Sequence, residues 1–357
     1  MVVTAVDLRD FRSYARQELE LPAGLTVLVG PNGAGKTNLL EAIHVGTQGA
    51  SLKTRRDVRV VRFGATAARV RVRGRRGREL PFDTEVTIQP GDGKRIVFNG
   101  ALLAGSEELR KELPVLAFTP DRLAVVKGGP LIRRTYLDRM VGRVFPPRAE
   151  LPAEYGQALA QRNAALRRLR SGFSNRAAAA PWTEAVVRLG NQLDETRAQL
   201  VRELGPLFVS QADRLGLAGA ALVYEPRPLS VSELDARLDR DVERGVTGAG
   251  PHLRDVAVTA RGRELRAYGS QGEQRLAVLA LLLAEADLLA DVRGEAPLLL
   301  LDDVLSELDD RRRAALLAGL PAGSQALVTA TTLRSLPDEA PPPALVVDVT
   351  PGRATPR

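Results

Sequence analysis

Eight residues constrain this chain more than any others. Gly30-Pro31-Asn32-Gly33-Ala34-Gly35-Lys36-Thr37 fits G-x4-G-K-T without a mismatch, after the apolar run LTVLV at 25–29 and before NLLEAI at 38–43. A buried strand, a glycine turn and a helix in that order is the context the motif requires. The glycines let backbone N–H groups turn inward around phosphate oxygens, and the helix N-terminus adds partial positive charge. Lys36 has the reach for the β- and γ-phosphates of a nucleoside triphosphate, and the Thr37 hydroxyl can ligate Mg²⁺. The segment therefore predicts an α/β fold and a site for ATP and Mg²⁺.

Such a site needs an acid at the end of a second buried strand. Leu298-Leu299-Leu300-Leu301-Asp302-Asp303 supplies it, and four successive leucines suit a strand covered on both faces. Asp302 is expected to hold Mg²⁺ through water, and Asp303 to orient or deprotonate the attacking water. Upstream, Gly269-Ser270-Gln271-Gly272-Glu273-Gln274 opens a helix. A Ser-x-Gly-Glu turn at that place resembles the signature of ABC-type ATPases, in which one subunit's signature closes over the phosphate held by the other. Ser270, Gly272 and Glu273 are thus candidate nucleotide contacts; the same residues also read as an ordinary helix cap. Ser306-Glu307-Leu308-Asp309 matches the family's D-loop. Where many ABC ATPases place a His after the late strand, this chain has Val328-Thr329-Ala330-Thr331-Thr332, so a Thr hydroxyl, that of Thr329 or Thr331, is expected in its place. A hydroxyl handles protons less well than imidazole, which fits slow hydrolysis.

Composition removes other chemistries. The 357 residues include no Cys and two His, which excludes disulfides, thiol nucleophiles and His-rich metal centres. No N-terminal secretory pattern and no apolar run near 20 residues is present, so a soluble, cytoplasmic protein without membrane contact is expected. The net charge of +8 is unevenly placed: residues 51–180 hold 27 Lys+Arg and 12 Asp+Glu, a net of +15. That asymmetry suits a polyanion surface. Only five of the 51 basic residues are Lys, so a GC-rich genome is a competing reason for the Arg excess.

Along the chain, strands are expected near 2–8 and 25–29, a β meander over 57–98, and a strand at 115–118. From 119 to 250 the pattern turns helical, with segments over 130–141, 152–169 and 182–204 and breaks at Gly172 and Gly205–Pro206. A strand at 253–259, a helix over 272–291, a strand at 298–301, a helix over 311–319 and strands at 326–329 and 344–347 follow, before a frayed tail over 350–357. The α/β pieces lie at both ends, which suggests one nucleotide-type domain interrupted by a helical insertion.

Taken in order, LRDFRSY at 8–14, GPNGAGKTNLLEAI at 30–43, FTPDRL at 118–123, KGGPLIRRTYLD at 127–138, GSQGEQR at 269–275 and LLLLDDVLSELD at 298–309 resemble the RecF family, short relatives of the SMC ATPase heads. The resemblance runs nearly end to end. It implies an ABC-type P-loop ATPase head over 1–118 plus 251–357 and a mainly helical arm over 119–250. It further implies an ATP-dependent homodimer with two nucleotides between phosphate loop and signature, and a weak, DNA-stimulated ATPase. Binding to single-strand/double-strand junctions or gapped DNA, and work with RecR and RecO to load RecA in recombinational repair, are also implied.

Arg12 lies where SMC-like heads place an Arg near the nucleotide and is a cofactor-binding candidate. Lys53-Thr54-Arg55-Arg56 fits a family Ser/His-Arg-Thr segment loosely. Arg55, Arg56, Arg73, Arg75, Arg76, Arg133 and Arg134 are the DNA-binding candidates, although exposed sheet edges and solvated helix faces also carry Arg. An ABC transporter subunit is a weak competitor, since LSGGQ and the late His are missing. A scaffold in which ATP is mainly structural competes better, because Asp303 stands where a longer Glu is more common.

Overall fold

In the computed structural model every residue except Arg55 and Arg78 is described. The chain divides into two compact units: Met1–Arg122, Arg214–Gly216 and Leu279–Arg357 form the first, and Leu123–Asp213 with Leu217–Val278 form the second.

The first unit begins with β1 (Val2–Phe11), β2 (Tyr14–Glu20), β3 (Leu25–Val29) and helix α1 (Lys36–Gln48). Next come β4 (Ala68–Arg76), β5 (Leu80–Gln89), β6 (Gly93–Phe98), the two-residue β7 (Ala101–Leu102), α2 (Ser106–Glu112) and β8 (Val115–Phe118). Six of these strands pair antiparallel in the order β2-β1-β4-β5-β6-β7. Period-two burial along β5 (Phe82, Thr84, Val86 and Ile88 in, their neighbours out) is the pattern of a sheet with one face on the core. Residues 57–60, expected within the meander, instead form a 3₁₀ turn. The segment is tied to the end of β1: Arg12 N–H, one residue past the strand, donates to Val60 O (2.7 Å), and Arg62 N–H, just after the turn, donates to Asp10 O (2.8 Å).

The second unit contains α3 (Ala124–Lys127), α4 (Pro130–Val144), α5 (Leu151–Arg170) and α6 (Ala180–Arg214), then β9 (Ala220–Val223), α7 (Val231–Ala236), α8 (Leu238–Arg244), β10 (Ala257–Ala260), β11 (Arg263–Glu264) and α9 (Leu265–Tyr268). Helix α6 passes through Gly205–Pro206, where the sequence suggested a break. An interior Pro costs about 3 kcal/mol, but Leu200, Leu204, Phe208 and Ala212 continue one buried stripe at four-residue spacing across it. Tertiary burial of that stripe offsets the Pro. The small sheet β11-β10-β9 also moves the expected boundary. Strand β10 pairs with β9, so residues 251–278, assigned to the head on sequence, cluster with the second unit.

Helix α10 (Gln271–Arg293) leads back to β12 (Leu298–Leu301), α11 (Asp310–Ala318), β13 (Ala326–Ala330), β14 (Leu345–Thr350) and β15 (Arg353–Pro356). The second six-stranded sheet of the first unit runs β15-β14-β3-β13-β12-β8, parallel throughout except at β15. Strands β3, β12 and β13 are buried at every residue, as a parallel sheet covered on both faces demands. The tail is ordered rather than frayed, because β15 pairs with β14 and Gln17 exchanges hydrogen bonds with the backbone of Ala354. No helix among the described residues is long and apolar enough to cross a membrane.

Candidate functional site: a phosphate loop and an acid-tipped strand

The site grows from three neighbouring parallel strands. β3 delivers the glycine loop, β12 ends on Asp302, and β13 lies between them. The loop must be glycine where its backbone passes close to other groups. A Cβ on Gly30 would stand 2.3 Å from Val349 O. Gly35, the N-cap of α1, has φ +110°, and a side chain there would press on Ser13 Oγ and Tyr14 Oη at 3.1 and 3.2 Å. Tyr14 Oη donates to Gly35 O at 3.1 Å from a buried ring, and burial pushes its pKa up to about 12. Around this turn lie Pro31, Asn32, Gly33 and Ala34, with Ala34 N–H closing on Pro31 O (3.2 Å).

Lys36 Nζ reaches back over the loop to Gly30 O (2.6 Å) and Pro31 O (3.0 Å). Burial lowers its pKa, and the charges of Asp303 and Asp302 oppose that shift. Thr37 Oγ1 donates to Asp302 Oδ1 at 2.9 Å. Thr329 Oγ1, from the intervening β13, donates to the same oxygen at 3.1 Å and accepts the Asp303 N–H at 2.7 Å. One hydroxyl thus fixes both aspartates. Asp302 is buried, and burial raises its pKa against the two hydroxyls and the more distant charge of Lys53. Asp303 is exposed and has φ +51°, a left-handed conformation that Asp tolerates better than most residues. Ser306 Oγ donates to Asp303 O (3.1 Å), and the Asp309 side chain caps α11 by accepting from Arg312 N–H (2.8 Å).

Thr37 Oγ1 and Asp302 Oδ1 suit Mg²⁺. Both are hard oxygen donors on one spot, and Mg²⁺ is usually held by one or two protein oxygens plus phosphates and waters. Among the described residues no group of three His, Cys, Asp or Glu forms a protein-only metal cage.

Several candidate residues make contacts within the chain. Arg12, a candidate nucleotide contact, holds buried Glu41 of α1 with its guanidinium: Nε to Oε2 at 2.9 Å, Nη2 to Oε1 at 2.7 Å, with Nη1 on Arg59 O at 2.8 Å. Ser51 Oγ donates to the same carboxylate. Thr329 has both hydrogen-bonding roles of its hydroxyl occupied, so it acts as a positioning residue rather than a proton carrier. In the second unit, Ser270 and Glu273 form a reciprocal capping box at α10: Glu273 N–H donates to Ser270 Oγ (3.2 Å) and Ser270 N–H to Glu273 Oε2 (2.9 Å). That bond lowers the Glu273 pKa. Gly272 lies inside the first turn, where a Cβ would meet nothing closer than Ser270 Oγ at 4.0 Å.

The basic candidates divide by burial. Arg133 is 1% exposed, with Nε and Nη2 on Asp255 and Nη1 on Gly128 O, so it is an internal anchor and not a DNA-facing group. Arg134 is half-buried and donates to Arg254 O. Arg75 pairs with Glu79, and Arg76 pairs with Glu112 while lying over the Phe98 ring. Arg56 and Arg73 are exposed. Arg55 lies outside the described residues.

Sequence reasoning missed Tyr14, Glu41 and Lys53. The only signal for Glu41 was an acidic residue in an otherwise apolar helix, which marks a buried charge seeking a partner.

A strand-turn-helix phosphate loop joined across one strand to an acid-tipped strand is the core of a P-loop ATPase, here with the Ser-x-Gly-Glu helix-opening turn of an ABC-type head. The family model described as RecF/RecN/SMC N terminal domain matches residues 2–339. The chain belongs to the RecF family. It is 38% identical over 353 residues to the DNA replication and repair protein RecF of Myxococcus xanthus, covering 93% of this chain and 91% of that protein. It is likewise 38% identical over 380 residues to the protein of that name from Anaeromyxobacter dehalogenans, covering 100% and 99%. A solved structure of the recombination mediator protein RecF with ATP in the RecFOR pathway superposes with a TM-score of 0.84 at 25% identity, covering 99% of this chain and 97% of that one. An Smc head domain from Pyrococcus furiosus shares the fold at a TM-score of 0.60.

Proposed function

We propose that this protein is an ATP-dependent DNA-binding protein of replication and repair, in which ATP closes two copies around gapped or junction DNA and slow hydrolysis releases them. The carrying observation is the shared Thr329 hydroxyl, which ties the buried Asp302 and the exposed Asp303 into one rigid unit opposite Thr37. Lys36 and the loop N–H groups bind the β- and γ-phosphates. Thr37 and Asp302 would hold Mg²⁺, which neutralises phosphate charge when bound. Asp303 orients the attacking water, and its carboxylate accepts the water's proton as the new oxygen–phosphorus bond forms and the bond from the γ-phosphorus to the bridging oxygen breaks, so that ADP leaves with that oxygen and phosphate is released. Ser270 of a second copy, with the α10 N-terminus behind it, faces the γ-phosphate. Hydrolysis is weak and stimulated by DNA. The solved relative's place in the RecFOR pathway supports work with RecO and RecR; the loading of RecA, in the cytoplasm, belongs to the same proposal.

The test is a mass measurement by light scattering with and without ATP, on and off DNA. The chain should dimerise with ATP, Lys36→Met should stay monomeric, and Asp303→Asn should dimerise while turnover falls about 10²–10⁴-fold. ATP-independent dimers in Lys36→Met would refute the sandwich. Unchanged turnover in Asp303→Asn would move the base elsewhere, and a scaffold with structural ATP is favoured only if the parent chain dimerises on ATP without turning it over.

A further inference from the structure

Phe63 is fully exposed, at 100% of its possible surface, the largest value among the exposed large hydrophobics. It is not on a loose loop. Ala65 N–H closes on Arg62 O (3.0 Å), and Gly64 has φ +83°, so residues 62–65 form a turn with Phe63 at its first corner and the required glycine at its second. The turn itself is bolted to β1. Arg62 pairs with Asp10 through Nε and Nη2, its N–H donates to Asp10 O, and Val61 bridges Phe11. A large apolar ring held out into water by a braced turn costs solvation that a packed ring would not.

Its surroundings define what the ring can meet. Residues 53–62 carry five basic side chains and one acidic one. Asp57, the acidic one, is paired to Lys94. Arg56 and Arg59 are exposed and have no side-chain partner among the described residues. Unpaired guanidinium groups four and seven residues before an exposed aromatic ring supply what a polynucleotide with an unstacked base requires: cations for the phosphates and a ring for the base. A protein partner's apolar pocket would not call for unpaired cations around the ring.

We infer that Phe63 stacks on an unpaired DNA base, with Arg56 and Arg59 on the flanking phosphates. This rests on the DNA-binding reading above and adds to it the residue that separates single-stranded from duplex DNA. Because the ring contributes only where a base is unstacked, it discriminates a gap or tail from a closed duplex.

The test titrates tailed and blunt duplexes of equal length into the full chain and into Phe63→Ala, an exposed site whose loss leaves thermal unfolding unchanged. Phe63→Ala should weaken binding to tailed DNA by about 5- to 100-fold, the usual worth of one stacked base, and leave blunt-duplex binding within about twofold. A direct readout comes from Phe63→Trp in a Trp182→Phe background, where the sole indole should be quenched by tailed DNA and not by blunt DNA. Full affinity of Phe63→Ala for tailed DNA, while the parent chain binds with normal salt dependence, overturns the stacking inference and leaves DNA binding intact. A parent chain that binds neither DNA at any nucleotide state removes both. An altered dimer mass in Phe63→Ala with unchanged DNA affinity also overturns it, in favour of a protein contact.

Discussion

Asp302 in the first unit and Asp241 in the second are both buried aspartates, and they are provided for in opposite ways. Asp241 Oδ2 receives Arg162 Nη1 at 2.9 Å, both residues being 1% exposed or less, and Arg162 also donates to Thr183 and Thr247. Its charge is cancelled inside the fold. Among the described residues the Asp302 side chain receives only hydroxyls, from Thr37 and Thr329, and no ion pair, and burial raises its pKa. Burying a charge costs several kcal/mol unless it is paired. The second unit avoids that cost with arginine, whereas the first retains it at the place where a divalent cation and phosphates bind. The same contrast reinterprets the positive charge of residues 51–180: Arg133 and Arg162 belong to the internal pairs, so less of the charge faces a polyanion than the composition suggests.

The sharpest break in this comparison is to remove the arginine. Arg162→Met leaves Asp241 buried and unneutralised, and should cost the second unit about 3–5 kcal/mol. Arg202→Met, which breaks a surface pair with Glu195 in the same unit, should cost no more than about 1 kcal/mol. Denaturant unfolding followed by the fluorescence of Trp182, the chain's one Trp and a residue of the second unit, reads both. Equal midpoints for the two variants would show that burial does not set the worth of these pairs. The next effect belongs to the other aspartate. Thr329→Val strips a donor from Asp302 and an acceptor from the Asp303 amide, each worth about 1–3 kcal/mol when left unsatisfied. ATP turnover should fall while ATP affinity stays within a few-fold, because Lys36 and the loop are untouched. A larger loss of ATP affinity than of turnover would make Thr329 a binding residue instead.

What the sequence made legible follows the same division. The phosphate loop and the strand before Asp302 are local patterns, each recognisable in a run of consecutive residues, although the bond that joins them, Thr37 to Asp302, spans 265 residues. The roles of Arg12 and Arg133 were not legible, because their partners Glu41 and Asp255 lie 29 and 122 residues distant. An arginine's spacing on its own element does not distinguish a solvated guanidinium from a buried one. Pro206 misled for a related reason: local propensity argues for a break, and the apolar stripe that overrides it is satisfied only by packing. The tail strand β15 was hidden because its pairing depends on a hairpin closed after Thr350.

A smaller prediction concerns the capping box, where a cap and a phosphate contact share one residue. Ser270→Ala should destabilise the α10 N-terminus by about 1 kcal/mol, an effect any cap would show. A role beyond capping requires more: ATP-dependent dimers should weaken, and Ser270→Asp, which retains the cap but adds charge, should weaken them further. Dimers that Ser270→Asp leaves intact would reduce the signature to its cap.

The smallest effect probes how tightly the second unit seals its buried pair. His252 Nε2 meets Thr247 O at 3.0 Å, and a carbonyl only accepts, so Nε2 carries the proton. Nδ1 then accepts from Tyr155 Oη at 2.6 Å. Thr247 is the residue whose hydroxyl receives Arg162, so this chain of bonds adjoins the Arg162–Asp241 pair. Burial lowers the His252 pKa from its ordinary 6.5, with Arg134 and Arg197 adding to the shift and Asp241 and the Thr247 carbonyl opposing it. The folded chain therefore resists a proton that the unfolded chain accepts. The stability from a neutral His252 is complete above pH 6.5 and is lost as pH falls below it toward the depressed value. By linkage the loss is below about 1 kcal/mol at pH 6. His252→Gln removes the titration, so the stability gap between parent and variant should narrow from pH 7.5 to pH 6 in matched Trp182-detected unfolding curves. A gap that stays constant over that interval would mean that His252 binds its proton equally well in both states, and that the seal around Asp241 is open to water.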